Sequence, residues 1–180
     1  MNIVLIGYRG TGKTAVGREL SHKLRRPLYQ LDALIEKHEG CSIPKIVKKH
    51  GWDYFRNLEA ELLAGVAERN ACIIDTGGGV VLRKENIDRL KKNGLLFWLT
   101  ADPQTIISRI QEGTGRPSLT PGKSFLEEVE EVLQQRLPLY RKAQDFTVDT
   151  AGRTIAGIAD EIVELFKKRA QEVEDSRVPG

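Results

Sequence analysis

Short apolar runs and longer helical patterns alternate along this chain. Five runs have the length and composition of strands, at 3–6, 27–32, 71–76, 95–100 and 145–150. Most of these runs are continuously apolar rather than alternating, which is typical of parallel strands that are buried on both faces. The pattern therefore predicts a parallel sheet at the centre of the protein.

The segments between these runs carry apolar residues at helical spacing. The first predicted helix begins near 12 or 13, and the second covers 34–38. A short and a longer helix then meet at a turn at Gly51. The remaining predicted helices cover 86–94, 102–111, a long stretch through Tyr140, and 154–170. Asp102 is a suitable N-cap, and Pro103 suits the first helical position. Alternating strands and helices predict a three-layer α/β/α domain with right-handed crossovers.

Length and composition narrow the class of protein. A chain of 180 residues is expected to form one domain, here 1–170, followed by a polar tail at 171–180 that frays. A net charge of +3 gives no argument for nucleic acid, and no apolar stretch is long enough for a membrane span. Two cysteines are too few for a disulfide framework, which fits a reducing cytoplasm. We also expect the protein to be a monomer. Trp52 and Trp98 are predicted to be core residues.

The first strand is followed by a glycine-rich phosphate-binding pattern. Gly7-x-x-x-x-Gly12-Lys13-Thr14 matches the P-loop, whose backbone N–H groups converge on phosphate oxygens at a helix N-terminus. Lys13 can reach the β- and γ-phosphates, and the Thr14 hydroxyl is a hard oxygen ligand suited to Mg²⁺. The loop therefore predicts a bound nucleoside triphosphate.

Further polar groups are expected at the same edge of the sheet, because the carboxyl ends of parallel strands lie together. Asp32 follows the second strand and the glycines 77–79 follow the third, while Arg56 and Arg136 lie on helices. Arginine grips a carboxylate through two parallel hydrogen bonds, and aspartate accepts hydrogen bonds from hydroxyls. This set predicts a small, anionic, hydroxylated acceptor.

With these residues the sequence resembles the shikimate kinase family over nearly all of its length. The matching pieces are "GYRGTGKT", "LDALIE", "YFRNLE", "DTGGGVV", "GRP" and "RLPLY". The resemblance implies a P-loop kinase fold with a five-stranded parallel sheet in the order 2-3-1-4-5. It also implies transfer of the γ-phosphate from ATP to the 3-hydroxyl of shikimate, with Mg²⁺ as the metal.

The resemblance also implies roles for individual residues. Lys13, Asp32 and Arg116 become the catalytic groups, with Arg116 in a lid at about 113–123. The acceptor is bound by Asp32, Arg56, Gly77, Gly78, Gly79 and Arg136. The nucleotide is bound by Gly10, Thr11, Gly12, Lys13, Thr14, Ala15, Arg109, Arg116 and Arg153.

One position departs from the family. Its members usually carry D-x-D at the end of the second strand, where this chain has Gln30 and Asp32. Glutamine has no charge with which to hold the water shell of Mg²⁺. Asp75 ends the third strand, and we interpret it as the carboxylate that holds the water shell of Mg²⁺ in place of the missing aspartate, with Thr14 as the other metal-site residue. The alternative is that Asp75 caps a turn.

Other readings remain open at this point. Asp32 is also suited to capping the helix that follows it, and the arginines can be ordinary solvated charges. A kinase of the same fold that acts on another hydroxy acid, such as gluconate, fits the P-loop equally well. A binding protein that has lost catalysis is suggested by Gln30, although Lys13, Thr14, Asp32 and Arg116 favour an active enzyme.

Overall fold

The computed structural model of the chain describes residues 1–113 and 125–175. The strands are β1 (Asn2–Ile6), β2 (Leu28–Gln30), β3 (Ile73–Asp75), β4 (Gly94–Thr100) and β5 (Phe146–Asp149). The helices are α1 (Lys13–Leu24), α2 (Leu31–Glu39), α3 (Ile43–Ala67), α4 (Lys84–Asn93), α5 (Pro103–Gly113), α6 (Phe125–Ala143) and α7 (Ile155–Asp175). A short 3-10 helix that the sequence did not predict spans Val80–Leu82.

The five strands form one parallel sheet in the order β2-β3-β1-β4-β5. Both of its faces are covered. In β1, Ile3 and Leu5 pack with α1 and α7, whereas Val4 and Ile6 pack with α2, α3, α4 and α6. Neighbouring positions of a strand point to opposite faces, so a strand that is buried on both faces must be apolar throughout. The predicted fold class and strand order are confirmed.

Helix α3 bends at the turn predicted at Gly51, whose φ of 83° and ψ of 171° interrupt the helical conformation. A positive φ of this size is adopted readily by glycine because it has no Cβ. The bend places Trp52 at the surface with 47% of its side chain exposed, so its prediction as a core residue is wrong. Trp98 is 8% exposed and lies in the core as predicted.

Several helix ends differ from the predicted ones. Helix α2 begins at Leu31 rather than Leu34, and its N-cap residue is Gln30, so Asp32 lies in the first turn and is not the cap. Helix α7 continues to Asp175. Residues 171–175 of the tail that was expected to fray are thus helical in the structure, and 176–180 lie outside the described residues.

The strand order places the candidate site. Strand β1 lies between β3 and β4, so the chain runs from β1 to β2 and β3 on one side of it and then crosses to β4 and β5 on the other side. Ligands of open α/β sheets bind in the crevice beyond the carboxyl ends of the strands at such a switch point. Within 1–113 and 125–175, no helix is long and apolar enough to cross a membrane.

Candidate active site

The P-loop joins β1 to α1 and is closed by its own hydrogen bonds. The Thr11 hydroxyl donates to the Tyr8 carbonyl oxygen at 2.7 Å, and the Thr11 amide donates to the same oxygen at 3.4 Å. Gly12 precedes the first turn of α1. The helix N-terminus therefore faces the loop, where its partial positive charge favours an anion.

Lys13 lies inside the loop with 8% of its side chain exposed. Its Nζ donates to the carbonyl oxygens of Gly7, at 2.8 Å, and Tyr8, at 3.0 Å. Burial lowers the pKa of the Lys13 ammonium below its ordinary value, and the nearby carboxylates of Asp75 and Asp32 oppose that shift. A cation surrounded by loop backbone is suited to receive phosphate oxygens.

Thr14 and Asp75 meet where the P-loop helix approaches the end of β3. The Thr14 hydroxyl donates to Asp75 Oδ2 at 2.7 Å, and Asp75 is 6% exposed. Gln30 and Asp75 are Cα partners in the parallel register of β2 and β3. Gln30, Thr14 and Asp75 all line one cavity of about 790 Å³, which we call the nucleotide cavity.

The nucleotide cavity contains most of the predicted nucleotide-binding residues. Gly10, Gly12, Lys13, Thr14, Ala15 and Arg109 line it. Arg109 donates to the Thr150 hydroxyl at 2.9 Å and to the Thr150 carbonyl oxygen at 2.7 Å. A third bond, to the Gly10 carbonyl oxygen at 3.3 Å, places Arg109 between the P-loop and the segment after β5.

Two predicted nucleotide-binding residues lie elsewhere in the structure. Thr11 is buried and its hydroxyl closes the P-loop, so its side chain does not line the nucleotide cavity. Arg153 is exposed, and it donates to Glu161 Oε2 at 2.5 Å and to the Asp149 carbonyl oxygen at 3.0 Å. It is not among the described residues that line this cavity.

A second cavity of about 390 Å³, which we call the acceptor cavity, adjoins the first. Arg56 on α3 enters it between aromatic rings, with Cζ 4.9 Å from the Phe55 ring centroid and 5.5 Å from that of Trp52. Its Nη1 donates to Glu59 Oε2 at 2.7 Å. The aromatic faces and the carboxylate together fix the direction of the guanidinium.

The triple glycine forms the floor of the acceptor cavity, as predicted. A Cβ placed on Gly79 would lie 2.1 Å from Nη2 of Arg56. A Cβ placed on Gly77 would lie 3.0 Å from Asp32 Oδ1 and 2.8 Å from Glu59 Oε1. The absence of side chains at these positions therefore leaves room for Arg56, Asp32 and Glu59 at the cavity wall.

Arg136 reaches the acceptor cavity from α6. Its Nη1 donates to the Gly78 carbonyl oxygen at 3.1 Å, and the Tyr140 hydroxyl donates to the same oxygen at 2.5 Å. Burial raises the pKa of the Tyr140 hydroxyl above its ordinary value, so it remains a donor at neutral pH. The structure thus brings Asp32, Arg56 and Arg136 to one cavity, as the sequence predicted.

The two cavities share a wall. Of the described residues, Arg9, Asp32 and Gly78 line both. A Cβ placed on Gly78 would lie 3.4 Å from the Arg9 backbone nitrogen, so the P-loop packs closely against the triple glycine. A group on the nucleotide side therefore faces a group on the acceptor side across this junction.

Two residues that contact the Arg56 guanidinium in the acceptor cavity were not predicted from the sequence. Glu59 is fully buried and holds Arg56, and Trp52 packs beside the same guanidinium. The i,i+3 spacing of Arg56 and Glu59 on a helix is a signal that was available in the sequence. Burial raises the pKa of the Glu59 carboxyl, and Arg56 opposes that shift. Arg116 and almost all of the predicted lid lie outside the described residues.

Comparisons with known proteins agree with this geometry. A family model described as "Shikimate kinase" matches residues 9–167. The shikimate kinase of Thermodesulfovibrio yellowstonii is 42% identical over 167 residues, which cover 93% of this chain and 95% of that protein. The shikimate kinase of Syntrophus aciditrophicus is 41% identical over 180 residues, covering 93% of this chain and 92% of that protein. The structure of the Acinetobacter baumannii shikimate kinase in complex with shikimate matches with a TM-score of 0.87, 32% identity and 93% coverage of each chain.

Proposed function

This chain belongs to the shikimate kinase family, and we propose that it transfers the γ-phosphate of ATP to the 3-hydroxyl of shikimate. The acceptor oxygen forms a bond to the γ-phosphorus as the bond from that phosphorus to the bridging oxygen breaks. ADP leaves with the electron pair of the broken bond, and the acceptor proton passes to a carboxylate. The products are shikimate 3-phosphate and ADP.

The observation that carries this proposal is the shared wall of the two cavities. Phosphoryl transfer is catalysed mainly by positioning and charge neutralisation, with the attacking and leaving oxygens roughly in line. A P-loop on one side and two arginines on the other give the required order of donor, junction and acceptor. Asp32 lies at the junction, where it can orient the acceptor hydroxyl and take its proton.

On the acceptor side, Arg56 and Arg136 would hold the shikimate carboxylate. Arg56 is oriented by Glu59 and two rings, and Arg136 is oriented by the Gly78 carbonyl oxygen. Guanidinium groups that are already fixed lose little conformational entropy when they bind a carboxylate. The glycine floor allows the ring of the substrate to approach the backbone closely.

On the donor side, Lys13 would neutralise the γ-phosphate while the N-terminus of α1 receives the β-phosphate. Arg109 would contact the adenine side of the nucleotide, since it lines the same cavity. The resemblance assigns Arg116 to the transferring phosphate and Arg153 to the adenine loop. Both assignments stay predictions.

Thr14 and Asp75 are the residues that would hold Mg²⁺. A hydroxyl and a carboxylate oxygen within 2.7 Å of each other fit a hard cation that keeps most of its waters. Such a site needs few protein ligands. When bound, Mg²⁺ lowers the negative charge that the β- and γ-phosphates present.

The test is shikimate-dependent ADP formation by the purified chain, with gluconate as the alternative acceptor and the Lys13→Ala variant as the blank. We expect ADP formation with shikimate as the acceptor and none with gluconate. Turnover with gluconate but not shikimate would identify a kinase of another hydroxy acid. Calorimetric binding of shikimate without any ADP formation would identify a binding protein, and either result would overturn the proposal.

A further inference from the structure

We propose that Arg9 is a catalytic residue whose guanidinium contacts the phosphoryl group during transfer. The inference rests on the proposed function and assigns it one more participant. Arg9 is the third residue of the P-loop pattern and falls on an x position, so the motif itself gives it no role. The structure places it at the junction of the nucleotide and acceptor cavities.

Arg9 lies where the phosphoryl group passes from donor to acceptor. Of the described residues it is the one cation that lines both cavities, since Lys13 lines only the nucleotide cavity and Arg56 only the acceptor cavity. A phosphoryl group in transfer is bonded in part to the donor and in part to the acceptor, so its equatorial oxygens lie at the junction. A cation at this place contacts the negative charge of the phosphoryl group in transfer, which is absent from both ADP and shikimate.

The Arg9 guanidinium is partly enclosed by protein. Its Nε and Nη2 atoms are shielded from solvent, and its Cζ lies 5.8 Å from the Tyr8 ring centroid. The same ring lies 5.9 Å from Cζ of Arg136, and Tyr8 is 3% exposed. A charge in these surroundings acts strongly on its neighbours, because the local dielectric constant is far below that of water.

The charges of Arg9 and Asp32 balance each other at the junction. Asp32 lines the same junction, and a carboxylate close to the transferring phosphoryl oxygens raises the energy of the transition state by repulsion. Arg9 at the same wall offsets that repulsion and leaves Asp32 able to accept the acceptor proton. Arginine also presents several donors in a plane, which suits two phosphoryl oxygens at once.

The test compares ligands that differ only in the transferred group. For Arg9→Met we expect kcat to fall by about a hundredfold, the scale for losing one donor that is aimed at developing charge. Affinity for shikimate 3-phosphate and for a non-hydrolysable ATP analogue, measured by calorimetry, should fall by about tenfold or more, as for loss of one charge-assisted contact. Affinity for shikimate and for ADP should stay within about twofold. Arg9→Lys should recover part of kcat.

Arg18→Met is the matched control, because Arg18 lines the nucleotide cavity alone and its loss changes the net charge equally. If Arg9 acts only through the general electrostatic field, the affinities for the ATP analogue and for ADP would fall by the same factor in both variants. That result would overturn the proposal. Equal losses for shikimate and shikimate 3-phosphate in Arg9→Met would also overturn it, by showing that Arg9 only positions Asp32.

Thermal unfolding checks that each variant is folded. If Arg9→Met does not fold, the same ligand affinities are compared in Arg9→Lys. An Arg9→Lys enzyme with wild-type kcat and unchanged affinity for shikimate 3-phosphate then shows that any cation suffices and overturns the bidentate contact. Failure of wild-type turnover on shikimate would instead be a failure of the proposed function. The two failures are therefore distinguishable in one set of measurements.

Discussion

Gln30 and Asp75 are Cα partners in the parallel register of β2 and β3, and the Asp75 carboxylate accepts a hydrogen bond from Thr14 at 2.7 Å. An uncharged amide thus lies beside a carboxylate at the edge where the metal is expected. Because the two positions are register partners, a carboxylate at either one would lie near the same metal site.

This relationship predicts coupling between the two positions. Asp75→Ser should raise the Mg²⁺ concentration needed for half-maximal activity and weaken Mg²⁺-dependent ADP binding, because the metal's waters lose their anion. Gln30→Asp added to Asp75→Ser should recover much of both losses. Groups that share a partner are non-additive, often by about 0.5–3 kcal/mol. Calorimetry with Mg-ADP in the four proteins of the cycle measures that coupling.

A merely structural Asp75 gives a different pattern. Loss of its bond to Thr14 would then lower the unfolding temperature equally with and without Mg²⁺, and Gln30→Asp would rescue nothing. Simple additivity of the two changes, with the Mg²⁺ dependence unaltered, would mean that Thr14, phosphates and water hold the metal without a carboxylate.

Lys13→Ala should lower kcat by about two to three orders of magnitude, because the γ-phosphate loses a fixed cation while the loop backbone remains. Burial lowers the pKa of the Lys13 ammonium, so the charged form is held there at a cost in folding free energy. We therefore expect the variant to fold, as measured by circular dichroism and urea unfolding. Activity above a tenth of the wild-type value contradicts the role of Lys13.

Arg56→Ala and Arg136→Ala should each weaken shikimate binding by about 2–5 kcal/mol, the cost of breaking a desolvated charge-assisted pair. ATP binding should change little. Arg89→Ala on α4 is the control, since Arg89 is exposed and lines neither cavity. Steady-state KM values for both substrates decide the matter. A shikimate KM within twofold of wild type in both variants would place the carboxylate elsewhere.

Gly79→Ala should raise the shikimate KM because the new Cβ would lie 2.1 Å from Nη2 of Arg56 and displace the guanidinium. The same change at Gly65 is the control. Gly65 lies within α3 and a Cβ there would meet nothing within 4 Å, so Gly65→Ala should leave KM unchanged and stabilise the helix by up to about 1 kcal/mol. Equal KM values in the two variants would refute the steric argument.

Glu59→Gln should remove a pH dependence of the free energy of unfolding that the wild-type protein shows. Burial raises the pKa of Glu59 above its ordinary value of 4.5. The folded protein therefore binds this proton more tightly than the unfolded chain does, and the associated stability is present below pH 4.5 and lost as pH rises through the raised pKa. Urea unfolding between pH 4 and pH 8, roughly the range in which buried carboxyls titrate, should show this loss in the wild type but not in Glu59→Gln.

The same variant should raise the shikimate KM, because Arg56 loses the charge that orients it. Glu61→Gln, an exposed position on the same helix, is the control for both measurements. If Glu59→Gln kept the wild-type KM, the aromatic rings alone would be sufficient to orient Arg56.

Much of this fold is encoded in local patterns. Continuous apolar runs such as 95–100 predict buried strands, and the spacing of glycines and Lys13 predicts the P-loop, because both signals depend on neighbours within a few residues along the chain. The convergence of Asp32 and the triple glycine followed from a general property of parallel sheets. Arg56 and Arg136 were found because their surrounding motifs resemble a family.

The tertiary structure decided the relationships across the chain. The pairing of Gln30 with Asp75, the burial of Glu59 against Gly77 and the position of Arg9 between two cavities each depend on segments that are distant in sequence. Local pattern specifies which face of a strand or helix is apolar, but not which polar side chain from another element packs beside it. That choice is made by the strand order and by close packing of the helices on the sheet.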